Sequence, residues 1–361
     1  MNTGSAVELE TRLAASPVSL SGNSLAAFRR ALLRWYDQHR RDLPWRDTRD
    51  PYRVWLSEIM LQQTRVAAVL DYYRVFLNRF PDVLSLAAAP EDAVLAAWSG
   101  LGYYRRARML HQCAKDLLQN HDGRFPQTAD DLLKLPGIGR YTAAAIASIA
   151  FSEAVAVVDG NVERVLRRLI GIDLTGPQTW RHAQKLLDNS RPGDFNQAMM
   201  ELGATVCVPR EPRCLACPIR KWCASQGEVP RDRFIGHEPA SRQNKKQIWC
   251  ALDWRDDKSN GDVRSKGEVR LVQRSRKTSL MPGMWELPQS SKPPWPARVA
   301  VHWRTFRHSI TLTDYTVHVL RNTAWRTAPF ATKGKWIAID RIAQIPITGL
   351  TRKILKAGGI I

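Results

Sequence analysis

Leu135-Pro136-Gly137-Ile138-Gly139-Arg140-Tyr141-Thr142 joins a Pro-Gly-x-Gly turn to an alanine-rich segment. Gly137 and Gly139 let such a turn bend tightly, so that backbone N–H groups can touch a ligand. Those N–H groups also lie at the start of a helix, a natural place for an anion. Eighteen positions after Tyr141 stands Asp159, in Val157-Val158-Asp159-Gly160-Asn161. A phosphate-gripping turn followed by an acid points to chemistry on a nucleic acid. A second carboxyl, Glu58, shares a helical stripe with Val54 and Leu61. Desolvation there should raise its pKa towards that of a general acid at neutral pH. Asp159 precedes a helix from Val162 to Ile170, where backbone N–H groups should keep it ionised. One raised acid and one depressed carboxylate suit cleavage of a glycosidic bond. Position alone is equally compatible with a salt-bridged glutamate and an ordinary helix cap.

Several other groups have the types needed to handle a planar ring. Leu43-Pro44-Trp45-Arg46 offers an aromatic face beside a guanidinium, and Gln62-Gln63-Thr64 places polar groups at a helix end. Gly100-Leu101-Gly102-Tyr103-Tyr104-Arg105-Arg106 puts apolar and aromatic side chains on a turn, as a wedge between bases requires. Each is also compatible with an ordinary turn. Cys207, Cys214, Cys217 and Cys223 follow the spacing Cys-x6-Cys-x2-Cys-x5-Cys. Four thiolates so close suit tetrahedral zinc or an iron–sulfur cubane, and their chemistry does not choose between the two. Arg210, Arg213, Arg220 and Lys221 interleave them and give the loop a basic face. Cys113 and Cys250 stand alone and read as buried residues.

The elements that must position these groups fall into two regions. Residues 25–228 read as an all-α catalytic region. Asp50-Pro51 opens a helix through about Gln63, and Thr128-Ala129-Asp130-Asp131 is capping-box-like before a short helix to Leu135. A helix-hairpin-helix is expected over 128–150 and a metal loop over 207–223. Residues 1–24 read as a disordered tail and 229–246, basic with Pro230, Gly236 and Pro239, as a linker. Beyond it the period changes to two in Glu268–Leu271 and Tyr315–Val319, with a further strand at Trp336–Ile339 and a helix capped by Thr348. The region 247–361 therefore reads as α+β.

The chain of 361 residues carries a net charge of +20, unevenly spread. Residues 1–230 hold 29 Lys and Arg against 24 Asp and Glu, and residues 231–361 hold 25 against 10. Such an excess suits a polyanion. No run approaches the ~18 apolar residues of a membrane span, and the first residues lack a signal-peptide core. The expectation is a cytoplasmic protein with reduced cysteines and no membrane partner.

Taken together, residues 25–225 resemble the helix-hairpin-helix DNA glycosylases related to endonuclease III, and most closely the A/G-mismatch adenine DNA glycosylase (MutY) family. The resemblance rests on the order and spacing of Leu43–Arg46, Ser57–Thr64, Gly100–Tyr104, Gly137–Gly139, Val158–Asn161 and the four cysteines. It implies one [4Fe–4S] cluster on Cys207, Cys214, Cys217 and Cys223. It implies that Glu58 protonates adenine N7 and that Asp159 stabilises the sugar cation, with Tyr141 and Asn161 orienting them. Trp45, Arg46 and Gln197 would contact the extruded adenine. Gln63, Leu101 and Tyr103 would fill the stack near the opposite base. The implied substrate is double-stranded DNA with adenine opposite 8-oxoguanine or guanine, bound by a monomer. Bifunctional relatives carry lysine where this chain has Tyr141; a phenol forms no Schiff base, so base removal without efficient strand cleavage is expected.

Met281–Pro288 resembles a motif of the family's C-terminal domain, which has a Nudix-like fold and senses 8-oxoguanine. The Arg-Glu-x-x-Glu-Glu run of Nudix hydrolases is absent, which argues against a phosphohydrolase. Where many members carry Phe-Ser-His on a loop, this chain has Phe306-Arg307-His308 followed by Ser309. A thymine-mismatch or oxidised-pyrimidine glycosylase on the same scaffold, and a non-catalytic DNA-binding module, are the competing readings. Trp45, Arg46 and Gln197 argue against the first, and the pair Glu58 and Asp159 against the second.

Overall fold

A computed structural model describes residues 20–226, 244–255, 267–293, 301–310, 312–321 and 334–361. Most of the expected tail and linker lies outside them. Residues 22–24 of that tail, however, already form the first turn of a helix, α1 (Gly22–His39), because Phe28, Leu32, Leu33 and Tyr36 bury one helical face. Two compact units divide the chain, Met1–Gln62 with Gln119–His237 and Gln63–Leu118 with Glu238–Ile361.

The first unit is helical. In α2 (Pro51–Leu61), Asp50 accepts the Tyr52 N–H and Pro51 opens the helix, and almost every side chain from Tyr52 to Met60 is buried. The Thr128-capped helix, α3 (Ala129–Leu132), is a single turn and stops short of the expected Leu135. The chain then turns through Gly137, whose φ of +76° favours glycine, into α4 (Arg140–Ala150). Ala143, Ala144, Ala145 and Ala147 of α4 are buried, and α4 packs against α2. Asp159 caps α5 (Gly160–Ile170), whose Val162, Val165, Leu166, Leu169 and Ile170 face a core shared with α1 and α6 (Pro192–Thr205).

The second unit combines helices of Gln63–Leu118 with two sheets, one mixed and one antiparallel. In one sheet, β1 (Asn244–Leu252) runs parallel to β7 (Thr313–Arg321), which pairs antiparallel with β6 (Val301–Ile310); β5 (Gln289–Ser290) flanks β1. In the other, β3 (Glu268–Gln273) pairs with β2 (Trp254–Arg255), β4 (Trp285–Glu286) and β8 (Lys335–Ala338). A terminal helix, α7 (Gly349–Ala357), is capped by Thr348 as its sequence indicates. Among the described residues no helix is long and apolar enough to cross a membrane.

Candidate active site

Glu58 lies mid-way along α2 with only 6% of its surface exposed. Tyr141, in the first turn of α4, donates its phenol to Glu58 Oε2 at 2.6 Å, and the Tyr141 hydroxyl oxygen lies 3.4 Å from Met200 Sδ. Burial pushes the Glu58 carboxyl up to about 7; the Asp159 charge adds to this, while the Tyr141 bond and Arg46 oppose it. Burial and the two carboxylates hold the Tyr141 phenol well above its ordinary range, so it stays a donor.

Asp159 is held more firmly. Its Oδ1 accepts the Val162 N–H at 2.7 Å and its Oδ2 the Asn161 amide at 3.0 Å. The cap is as expected but its effect is not. Burial outweighs these donors, so the pKa is raised above the usual aspartate value rather than depressed. Asn161 in turn accepts Arg164 at 2.7 Å, and Arg164 donates to the carbonyls of Gly203 at 2.7 Å and Cys207 at 2.9 Å. A Cβ on Gly203 would come within 2.6 Å of Asn161 Cβ. Arg164 and Gly203 were not legible as site residues, although a glycine inside a helix is a signal of close packing.

Trp45 and the Arg46 side chain are largely buried, and the Arg46 charge acts on Glu58. Arg46 donates to Glu201 Oε2 at 2.6 Å and to the Arg41 carbonyl at 3.0 Å, and lies over the Tyr36 ring. Arg41 binds both Glu201 oxygens at 2.8 Å. Burial would raise Glu201, but the two arginines hold it down to about 2. Gln197 accepts the Tyr36 hydroxyl at 2.8 Å. Arg46 and Gln197 also line an open cavity of about 500 Å³ with Arg49, Ser148, Ser190 and Arg191; Glu58 and Asp159 are not among its lining residues.

The hairpin needs glycine at only one of its two positions. Gly139 has φ −94° and is the N-cap of α4; nothing lies within 4 Å of a Cβ placed there, which leaves its backbone open to a ligand. No side chain caps α4, so its first N–H groups have no such competitor. In the second unit, Gln63 and Tyr103 both have positive φ, +54° and +49°, a conformation uncommon outside glycine. Tyr103 is 55% exposed, but Leu101 is 8% exposed, packed inside rather than presented as a wedge.

Cys207, Cys214, Cys217 and Cys223 are free thiols lining one cavity of about 390 Å³, with Arg168, Arg213 and Arg220 in the same wall. Arg168, buried on α5, donates to Cys207 Sγ at 3.4 Å and to the carbonyls of Val208 and Pro209. Among the described residues no three His, Cys, Asp or Glu side chains are placed to hold a single metal ion. Zinc, at ~2.3 Å from each sulfur, would need them within roughly 4 Å of one another. Four thiols lining one cavity, with arginines in the same wall, are a donor set that suits a thiolate-ligated metal centre.

Phe306, Arg307 and His308 lie within strand β6, paired with Val317, Thr316 and Tyr315, and not on a loop. Strand alternation follows: Phe306 enters the core, Arg307 is exposed and His308 is half-buried. Phe306 therefore presents no face to a lesion. Burial and Lys353 lower the His308 pKa. Ser309 Oγ donates to Asp314 at 2.6 Å.

Comparison with known proteins places this geometry. Residues 56–189 match the HhH-GPD superfamily base excision DNA repair protein family. The human adenine DNA glycosylase is 49% identical over 226 residues, 58% of this chain and 41% of that protein. The adenine DNA glycosylase of Schizosaccharomyces pombe is 33% identical over 331 residues, 74% of this chain and 71% of that protein. The structure of a thermostable thymine-DNA glycosylase, 31% identical, superposes with a TM-score of 0.54 over 57% of this chain and 97% of that one. The chain spans less than half the length of its mammalian relatives. With a relative of that identity covered over more than two thirds of its length, the chain belongs to the adenine DNA glycosylase (MutY) family.

Proposed function

We propose that this protein hydrolyses the N-glycosidic bond of adenine mispaired with 8-oxoguanine or guanine in double-stranded DNA. The observation that carries the reading is the buried Glu58–Tyr141 hydrogen bond beside the capped Asp159. The adenine must leave the stack, since its glycosidic bond is inaccessible inside a duplex. Glu58, near half-protonated at neutral pH, delivers its proton to adenine N7. The C1′–N9 bond then breaks with its electron pair on the protonated base, the Asp159 carboxylate stabilises the sugar cation, and a water adds to C1′ and gives a proton back to Glu58. Arg46 and Gln197 orient the base, and Glu201 holds Arg46 in place for it. Tyr141 offers no amine, so the product is an abasic site and not a nicked strand.

Cys207, Cys214, Cys217 and Cys223 would hold a [4Fe–4S] cluster. The cluster would cross-link the 207–223 loop, and Arg210, Arg213 and Arg220 of that loop would then face the phosphate backbone. Arg307, exposed on β6, is the residue through which the C-terminal sheet would favour 8-oxoguanine. One assay tests the whole reading. Duplexes with adenine opposite 8-oxoguanine, guanine or thymine are incubated with pure protein, and free adenine and strand breaks are measured with and without alkali. Adenine release from the first two, with breaks only after alkali, is expected. Its absence from both overturns the proposal, and breaks without alkali overturn the monofunctional assignment.

A further inference from the structure

Gly100-Leu101-Gly102-Tyr103 is held in shape by residues from the far end of the chain. Gly100, Gly102 and Tyr103 have φ of +105°, +79° and +49°. A Cβ on Gly100 would lie 2.2 Å from the Tyr72 hydroxyl. Gly100 and Gly102 take this backbone without steric cost, but Tyr103 at positive φ persists only where the surroundings over-determine it.

The surroundings are specific. Ser99, fully buried, donates Oγ to the Ile347 carbonyl at 2.7 Å. Tyr104, on the other side of the turn, donates its hydroxyl to the same carbonyl at 3.3 Å and accepts the Gly100 N–H at 3.1 Å. Both lone pairs of one C-terminal carbonyl are thus used to fix the two ends of the turn. Arg352 Nε donates to Ser99 Oγ at 3.3 Å, and Tyr72 donates to the Ser99 carbonyl at 3.0 Å. Ile347 is itself anchored. It bridges Trp285, whose N–H donates to the Pro346 carbonyl at 2.7 Å and whose carbonyl accepts the Thr348 N–H at 2.9 Å. Within the turn, Arg106 lies 5.4 Å from both the Trp98 and Tyr103 ring centres and donates to Gly102 O and Thr64 Oγ1.

We propose that Ile347 and Arg352 are positioning residues for the Gly100–Tyr103 turn, setting the direction in which Tyr103 leaves the protein so that it enters the base stack beside the mispair. This rests on the function proposed above. It gives the C-terminal segment a part in opening the duplex that does not depend on which base stands opposite the adenine. Arg352 and Ser99 touch neither the reacting atoms nor the extruded base in this scheme; they act through the turn.

The test uses the full chain with Arg352→Ala, Ser99→Ala and the conservative Arg352→Lys. Adenine release under single turnover is measured on a duplex paired everywhere except at adenine opposite guanine, and on one whose flanking pairs are also mismatched so that the stack is already open. Both alanine variants should slow release roughly tenfold on the closed duplex, the worth of one buried hydrogen bond. On the open duplex they should stay within about twofold, and Arg352→Lys, whose ammonium can still donate to Ser99 Oγ, should recover most of the loss. Equal rates on the closed duplex, or equal slowing on both, overturns the proposal. If Arg352→Ala melts early, Ser99→Ala decides. If the unsubstituted protein releases no adenine from either duplex, the proposed function fails. Binding then still reads the turn through a 2-aminopurine beside the mispair: loss of its fluorescence rise in the variants supports the positioning role, and an undiminished rise overturns it.

Discussion

Removing the Tyr141 hydroxyl tests how Glu58 is tuned. In Tyr141→Phe the ring remains packed, but Glu58 Oε2 loses the donor at 2.6 Å. That donor stabilises the ionised carboxylate, so its loss raises the pKa further above the present value of about 7. A hydrogen bond to a charged group is worth about 1.5–3 kcal/mol, or roughly one to two pKa units. If protonated Glu58 is the acid, the alkaline limb of the rate profile should move from about pH 7 to about pH 8 or beyond. At pH 8.5 a one-unit shift raises the protonated fraction from about 3% to about 24%, so the variant should lose less activity there than the parent. Single-turnover adenine release from pH 5.5 to 9.5, normalised to each protein's maximum, reads the limb directly. A limb that stays fixed or moves to lower pH refutes the assignment of Glu58 as the acid tuned by this bond.

Three further outcomes follow from named contacts. Gly203→Ala drives a Cβ into Asn161 and should displace the Asn161–Asp159 bond, costing about 1–3 kcal/mol of stability and a larger share of adenine release, seen by thermal melting beside single-turnover rates. Glu201, held down to about 2 against an ordinary value near 4.5, contributes stability that is fully present above pH 4.5 and is lost as pH falls towards 2, so Glu201→Gln should flatten the acid side of a denaturation profile by an amount on the order of 3 kcal/mol. Arg307→Ser should change the ratio of rates opposite 8-oxoguanine and guanine while leaving the melting temperature within about a degree, since Arg307 is an exposed strand residue; an unchanged ratio removes Arg307 from lesion reading.

The residues that act through their own type and local spacing were readable in the chain. Asp50, Thr128, Asp159 and Thr348 cap the helices that follow them because capping is a contact between near neighbours. The network around the carboxylates was not, because it joins residues far apart in sequence: Arg46 to Glu201, Arg164 to Gly203 and Cys207, Arg168 to the cysteine loop. The same limit explains Phe306, Arg307 and His308. Their strand pairing with β7 is a long-range property, and once it forms, alternation alone decides that Phe306 points inward. Leu101 is an apolar residue on a glycine turn, a pattern shared by wedges and by buried plugs, and here it is buried.

Burial alone does not distinguish the two carboxyls, since it raises both. What separates them is the number and kind of donors each helix position allows. Glu58 sits in the interior of α2, where every nearby backbone N–H is already bonded within the helix, so only a side chain from another element can reach it, and one does. Asp159 sits at the start of α5, where the first N–H groups have no intrahelical partner, and it collects Val162 N–H and the Asn161 amide while Arg164 supports Asn161 from behind. More donors to the charged form mean a carboxyl less able to keep its proton. In the proposed reaction the mid-helix residue is therefore the one suited to give a proton and the cap residue the one suited to face a cation. Exchanging the two types, Glu58→Asp with Asp159→Glu, would not exchange the roles, because the roles belong to the helix positions.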